Sequence, residues 1–135
     1  MEFKIVGGLD GVPTVLATIA SATVIPAGAL VTLSSGLVIK AVAASAAVAY
    51  CPNGSADGEV KCEVTVGNDF VLEGTGDAVF AVAQKGTEVD IVGTTTVLID
   101  VGSSSTDVLK IDISENAGTV DSTENIRVKI NKPLF

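Results

Sequence analysis

The sequence predicts an all-β fold: a small β-sandwich or barrel of many short strands with extended termini. Three observations predict it. Apolar residues make up 47% of the 135 residues, but aromatics only 4% with no Trp. Core bulk must therefore come from Val, Ile, Leu and Ala, many of them β-branched and suited to a pleated surface. The 14 Gly fall at intervals that suit turns. Short apolar runs recur about every ten residues, which makes nine to eleven candidate strands, the spacing of a sandwich or barrel. The length fits one compact domain. Residues 1–11 read as an N-terminal arm and 12–135 as a single β domain, with a sub-lobe boundary allowed near 52–58.

Between Gly11 and Ala56 the only charged side chain is Lys40. Within that run, IPAGALVTLSSGLVIKAV (25–42) raises the question of a membrane span. A spanning helix needs roughly 20 continuous apolar residues. Here Pro26, Gly28 and Ser34-Ser35-Gly36 cut the run into short pieces rich in Val, Ile and Thr. Two strands, Ala29 to Leu33 and Leu37 to Ala43, joined by a tight turn, fit better. Their lack of charge predicts burial on both faces, one against the core and one against a second layer or a neighbouring subunit. Lys40 belongs at the strand's wet end. AVAASAAVAY (41–50) is compatible with a helix, but Val recurs and no cap precedes it, which favours strand or irregular structure.

After Pro52 the texture changes. PNGSADG (52–58) is a loop, and VKCEVTV (60–66) alternates, with Val60, Cys62, Val64 and Val66 inward and Lys61, Glu63 and Thr65 outward. FVLEG (70–74), VFAVA (79–83), TEVDIVG (87–93) and TTTVLIDV (94–101) read as further strands, separated by turns such as GND and QKG. VLKIDI (108–113) places Leu109, Ile111 and Ile113 on one face, and SENAGTVDSTEN (114–125) is a long polar loop. IRVKI (126–130) closes the series with Arg127 and Lys129 outward.

The formal net charge is −8, and residues 1–56 sum to zero, so the excess lies in 57–135. Such a domain repels phosphates, which argues against nucleic acid as a partner. With no His, the commonest general base and metal ligand are missing. Cys51 and Cys62 are too few for a structural zinc site and have no base to make a nucleophile. They bracket a hairpin-like loop, either as two buried thiols or as a disulfide worth roughly 3 kcal/mol at best. Asp57, Glu59, Glu115, Asp121 and Glu124 read as solvated loop acids without EF-hand spacing. Scarce aromatics disfavour a sugar platform, and no phosphate loop or nucleophile elbow is present. No catalytic residue, metal ligand or cofactor site is nominated, and the expectation is that the chain is not an enzyme. MEFKIVGGLD has no apolar signal segment, which points to the cytoplasm as the site of synthesis. No membrane association is expected.

The run IPAGALVTLSSGLVIKAVAASAAVAY, a turn, and then VKCEVTVGNDFVLEG resembles the capsid decoration (cement) proteins of tailed bacteriophages. Gly28-Ala29-Leu30-Val31 through Gly36-Leu37-Val38 matches their form G-x-x-V-x-x-x-x-G, and the resemblance covers about residues 12 to 113. It implies a β-tulip-like fold, a homotrimer, and a virion protein made in the host cytoplasm. It also implies that the protein binds the major capsid protein on the outside of the expanded icosahedral shell. Phe3, Ile5, Leu30, Val31, Leu37, Val38, Leu134 and Phe135 are then the candidate capsid or subunit contacts. A competing expectation is a receptor- or carbohydrate-binding β module of a phage fibre or baseplate.

Overall fold

Alternation of apolar and polar side chains turns most of the expected runs into strands. The computed structural model describes residues 1–8 and 11–135. Leu9 and Asp10, the last part of the expected arm, lie outside the described residues. The strands are β1 (Lys4–Gly7), β2 (Thr14–Thr18), β3 (Ala29–Ser34), β4 (Leu37–Lys40), β5 (Ala49–Cys51), β6 (Lys61–Thr65), β7 (Val71–Gly74), β8 (Glu88–Val92), β9 (Leu98–Asp100), β10 (Leu109–Ile111) and β11 (Ile126–Ile130). In β11, Ile126, Val128 and Ile130 are buried while Lys129 is exposed; in β6, Cys62 and Val64 are buried while Lys61 and Glu63 are exposed. Among the described residues, no helix is long and apolar enough to cross a membrane.

The fold is an all-β sandwich. One layer is a six-stranded antiparallel sheet in the order β1-β7-β11-β10-β8-β9. The other layer is built from a three-stranded sheet, β4-β3-β5, and a two-stranded one, β2-β6. These two sheets meet along both sides. A parallel bridge joins Ile19 to Val38, where the Ala20 N–H donates to the Val38 carbonyl at 3.0 Å. On the other side β5 lies beside β6, and the Tyr50 N–H donates to Thr65 Oγ1 at 2.9 Å. The five strands thus run in a ring.

Two apolar clusters follow. Inside the ring lie Ile19, Ile25, Ala29, Val31, Val38, Ala49, Cys51, Cys62 and Val64. Between the ring and the six-stranded sheet lies the larger cluster, with Phe3, Phe70, Leu72, Phe80, Ile91, Ile99, Ile111 and Ile126 on one side and Leu30, Val48 and Tyr50 on the other. Strand β3 is a wall shared by both: Ala29 and Val31 point into the ring, and Leu30 points into the sandwich. The start of the apolar run, Ala29–Val31, is therefore buried on both faces as expected, whereas Leu33, Leu37 and Val42 toward the hairpin end are exposed. The second cover of that start, however, is β2 and β6 of the same chain, not a neighbouring subunit.

The turn between β3 and β4 has the expected place and a definite form. Ser35 and Gly36 both have positive φ, 51° and 79°, and join Ser34 to Leu37 as a two-residue hairpin. That geometry matches the right-handed twist of the flanking strands. Gly28, at the entry to β3, has φ of 80°, and a Cβ there would stand 2.5 Å from the Phe3 carbonyl oxygen.

Several details differ from the sequence reading. Residues 3–7 are not a free arm: β1 is the edge strand of the six-stranded sheet, and Phe3 is buried in its core. VFAVA is not a strand, since only Phe80 enters the core while Val82–Gln84 form a single 3-10 turn. The cause is local, because Gln84 Oε1 accepts the Ala81 N–H at 2.7 Å and removes it from sheet pairing. Ile113 is exposed because the Asp112 carboxylate accepts the Ile113 N–H and the Ser114 hydroxyl, turning the chain after Ile111. Val60 is likewise exposed, since it precedes β6 instead of joining its inner row, and Thr65, expected outward, is buried where its Oγ1 accepts the Tyr50 N–H at the β5–β6 seam.

Candidate interaction surfaces

The structure scatters the eight candidate contacts. Phe3, Leu30, Val31 and Val38 are at most 1% exposed and belong to the two cores, so none of them can reach a shell or a second subunit. Tyr50 Oη donates to the Phe3 carbonyl at 3.0 Å, which fixes that residue from the ring side. Ile5 packs half-buried against the larger cluster, and Leu134 against the smaller. Leu37 and Phe135 are the two that are exposed. For Leu30, Val31 and Val38 the expectation rested on the uncharged run. Lack of charge signals burial, but it does not say what does the burying.

A coherent apolar surface forms around the β3–β4 hairpin instead. A groove of about 390 Å³ is lined by Thr32, Leu33, Ser34, Ile39, Val42, Ala44, Ser45, Ala46, Ala47 and Leu134. None of these side chains is charged. Leu33 and Val42 are substantially exposed there. The rim is pinned locally, since Ser45 Oγ accepts the Val42 N–H at 3.0 Å and Thr32 Oγ1 donates to the Ala47 carbonyl at 2.9 Å. Its signal in the sequence is AVAASAAVAY, a run of small residues too irregular to form one strand.

The charged groups are mostly structural. Lys40 is not at a wet end: its ammonium donates to Glu2 Oε2 at 3.0 Å and to the Thr95 carbonyl at 2.7 Å. The same Glu2 oxygen accepts the Val97 N–H, so one ion pair ties the first residues, β4 and the 95–97 loop together. Glu73 lies between Lys4 at 3.3 Å and Arg127 at 3.4 Å. Asp90 is 6% exposed and accepts the N–H groups of Ser105, Thr106 and Asp107 at 2.8–2.9 Å. Burial alone would raise its carboxyl, but these backbone donors outweigh it and hold it below the ordinary range. Asp100 is pushed the other way, first by burial and then by the Asp77 carboxyl that shares a hydrogen bond with it. Among the described residues, no group of three or more Cys, Asp or Glu side chains is placed to hold a metal ion.

Cys51 and Cys62 are free, buried thiols inside the ring. They lie in the same cluster on the neighbouring strands β5 and β6. Burial, with the neighbouring Cys51, pushes the Cys62 thiol up to about 12, and burial raises Cys51 as well. Neither thiol forms a thiolate near neutral pH, so both behave as small core side chains.

A comparison of the chain with protein-family models, with curated proteins and with solved structures finds no match.

Proposed function

We propose that the protein is a structural virion protein of the decoration (cement) type, which binds the outside of an expanded icosahedral capsid and stabilises it. Its partner is the major capsid protein. The observation that carries this reading is the uncharged groove beside the β3–β4 hairpin on a molecule of formal net charge −8. An acidic protein docks most readily through the part of its surface that brings no charge to be desolvated. Many copies on one particle turn modest affinity per copy into durable attachment. The resemblance of the Gly28–Val38 hairpin to phage decoration proteins supports the same reading.

The test is co-sedimentation of the purified protein with empty expanded capsids. Saturable binding is expected, and Val42→Asp, which places a charge in the groove, is expected to weaken it by roughly tenfold or more. If the wild-type protein stays in the supernatant at saturating concentration, the reading fails. The resemblance also implies a homotrimer, which light scattering of the purified protein tests separately: a clean monomer at micromolar concentration counts against it.

A further inference from the structure

On the outer face of the six-stranded sheet two lysines stand side by side. Lys110 on β10 and Lys129 on β11 are direct partners in the antiparallel register, and both are exposed. In such a pair the Cβ atoms lie about 5 Å apart, and like charges so placed weaken a sheet. Neighbouring cations have partners within the chain: Lys4 and Arg127 both reach Glu73, and Lys132 donates to the Thr106 carbonyl. Glu88 lies opposite Lys110 on β8. Even so, among the described residues neither Lys110 nor Lys129 is in an ion pair.

The same two lysines line a pocket of about 270 Å³, together with Ile111, Asp112 and Ile113. Its one carboxylate is already engaged, since Asp112 accepts the Ile113 N–H and the Ser114 hydroxyl. That turn lifts Ile113 out of the inward row and leaves it 76% exposed at the pocket. The 84–86 turn packs against the same corner. Its Gly86 N–H donates to the Ile111 carbonyl at 2.9 Å, and a Cβ on Gly86 would stand 3.3 Å from Ile113 Cγ2. Lys85 is therefore carried next to Ile113, so three lysines gather around one exposed aliphatic side chain.

We infer that this corner is a docking site for an acidic segment of a partner protein. One carboxylate sits between Lys110 and Lys129, and an aliphatic side chain beside it packs on Ile113. Charge complementarity selects this occupant. A molecule of formal net charge −8 repels a polyanion such as a nucleic acid at long range. A short segment with one or two carboxylates feels mainly the ammonium groups beside it, because salt screens charges beyond ~8 Å. A carboxylate between the two lysines also cancels their mutual repulsion, so binding relieves what the pair costs the free sheet. Ile113 supplies the apolar contact that a bare anion would leave unused. The site is on the outer face of the six-stranded sheet, whereas the uncharged groove belongs to the ring layer. The inference therefore does not rest on the capsid reading.

Fluorescence anisotropy of a short dye-labelled peptide, a Glu-Leu-Glu core between Gly-Ser flanks, tests it on the full chain. Saturable binding at micromolar to submillimolar concentration is expected. Lys110→Gln and Lys129→Gln should each weaken it by roughly fivefold or more, and Ile113→Ser should weaken it too. Lys129→Arg, which keeps the charge, should bind as the wild type does. Lys61→Gln, an exposed lysine on β6, should leave binding unaltered. Neither Gln variant should lower Tm, because each removes a like-charge contact, so a loss of binding is not a loss of folding. A peptide with Gln in place of both Glu should bind much more weakly. No binding up to millimolar peptide, or binding insensitive to Lys110→Gln and Lys129→Gln, overturns the inference. Tighter binding of a single-stranded oligonucleotide than of the peptide assigns the corner to phosphates and overturns it as well. So does self-association of the wild type that the same substitutions abolish, which assigns the corner to an acidic loop of a second copy.

Discussion

Asp90 and Asp100 stand opposite each other on β8 and β9, a like-charged cross-strand pair that ordinarily weakens a sheet. The chain accommodates the pair by giving the two carboxyls different surroundings. Three backbone N–H groups keep Asp90 ionised, with its pKa below the ordinary value of 3.8. Its contribution to stability is present above that value and is lost as pH falls through the lower folded pKa. Asp100 runs in the opposite sense. Burial and the Asp77 carboxyl raise its folded pKa above 3.8, so its contribution is full below that value and is lost as pH rises through the raised one. An Asn at position 100 keeps the size and a hydrogen-bonding group but has no charge to acquire. Asp100→Asn is therefore expected to raise Tm at pH 7 by about 2–4 °C, with the gap to wild type narrowing as pH falls toward 4. A variant no more stable than wild type at pH 7, or a gap that widens on acidification, would contradict this account.

At the scale of single elements, the entry to β3 shows how one residue positions a strand. Gly28 donates its N–H to the Cys51 carbonyl and accepts the Phe3 N–H, so it joins β5 and the start of β1 at one point. Its φ is positive, and the space a Cβ would occupy is already taken by Phe3 backbone. Gly28→Ala is expected to cost about 2 kcal/mol or more, because it adds left-handed strain to a clash that no side-chain rotation relieves. Urea denaturation measures this directly, and a loss under about 0.5 kcal/mol, the scale of an ordinary surface substitution, would show the backbone there to be yielding. Gly28 also illustrates what the sequence discloses. Turn punctuation and alternation are local, so the β3–β4 hairpin, the inward row of β11 and the inward pairs Cys62–Val64 of β6 and Leu109–Ile111 of β10 are legible in the sequence. Phe80 and Ile113 are not, because the Gln84 side chain and the Asp112 turn compete with sheet pairing at those points. The groove is legible only as a run of small residues, since its walls come from β3, β4, the 44–47 segment and Leu134 together.

Across the whole molecule, double burial within one chain accounts for the uncharged start of β3. Leu30 and Val31 are consecutive residues that point into different clusters, and both are fully buried. Neither cluster keeps its wall without β3, so the sandwich and the ring should lose structure together as one cooperative unit. The chain carries a reporter in each. Tyr50, its only tyrosine, lies in the sandwich cluster, and the two thiols lie in the ring. Tyrosine fluorescence and thiol labelling, followed through the same urea titration, are expected to give coincident midpoints. Leu30→Ala removes bulk on the sandwich side, at a cost of about 2–5 kcal/mol, and Val31→Ala removes a smaller volume on the ring side. Each substitution should move both reporters by the same amount. If Val31→Ala exposes the thiols at a urea concentration that leaves Tyr50 in its native environment, the ring is a separate folding unit and β3 does not couple the two cores.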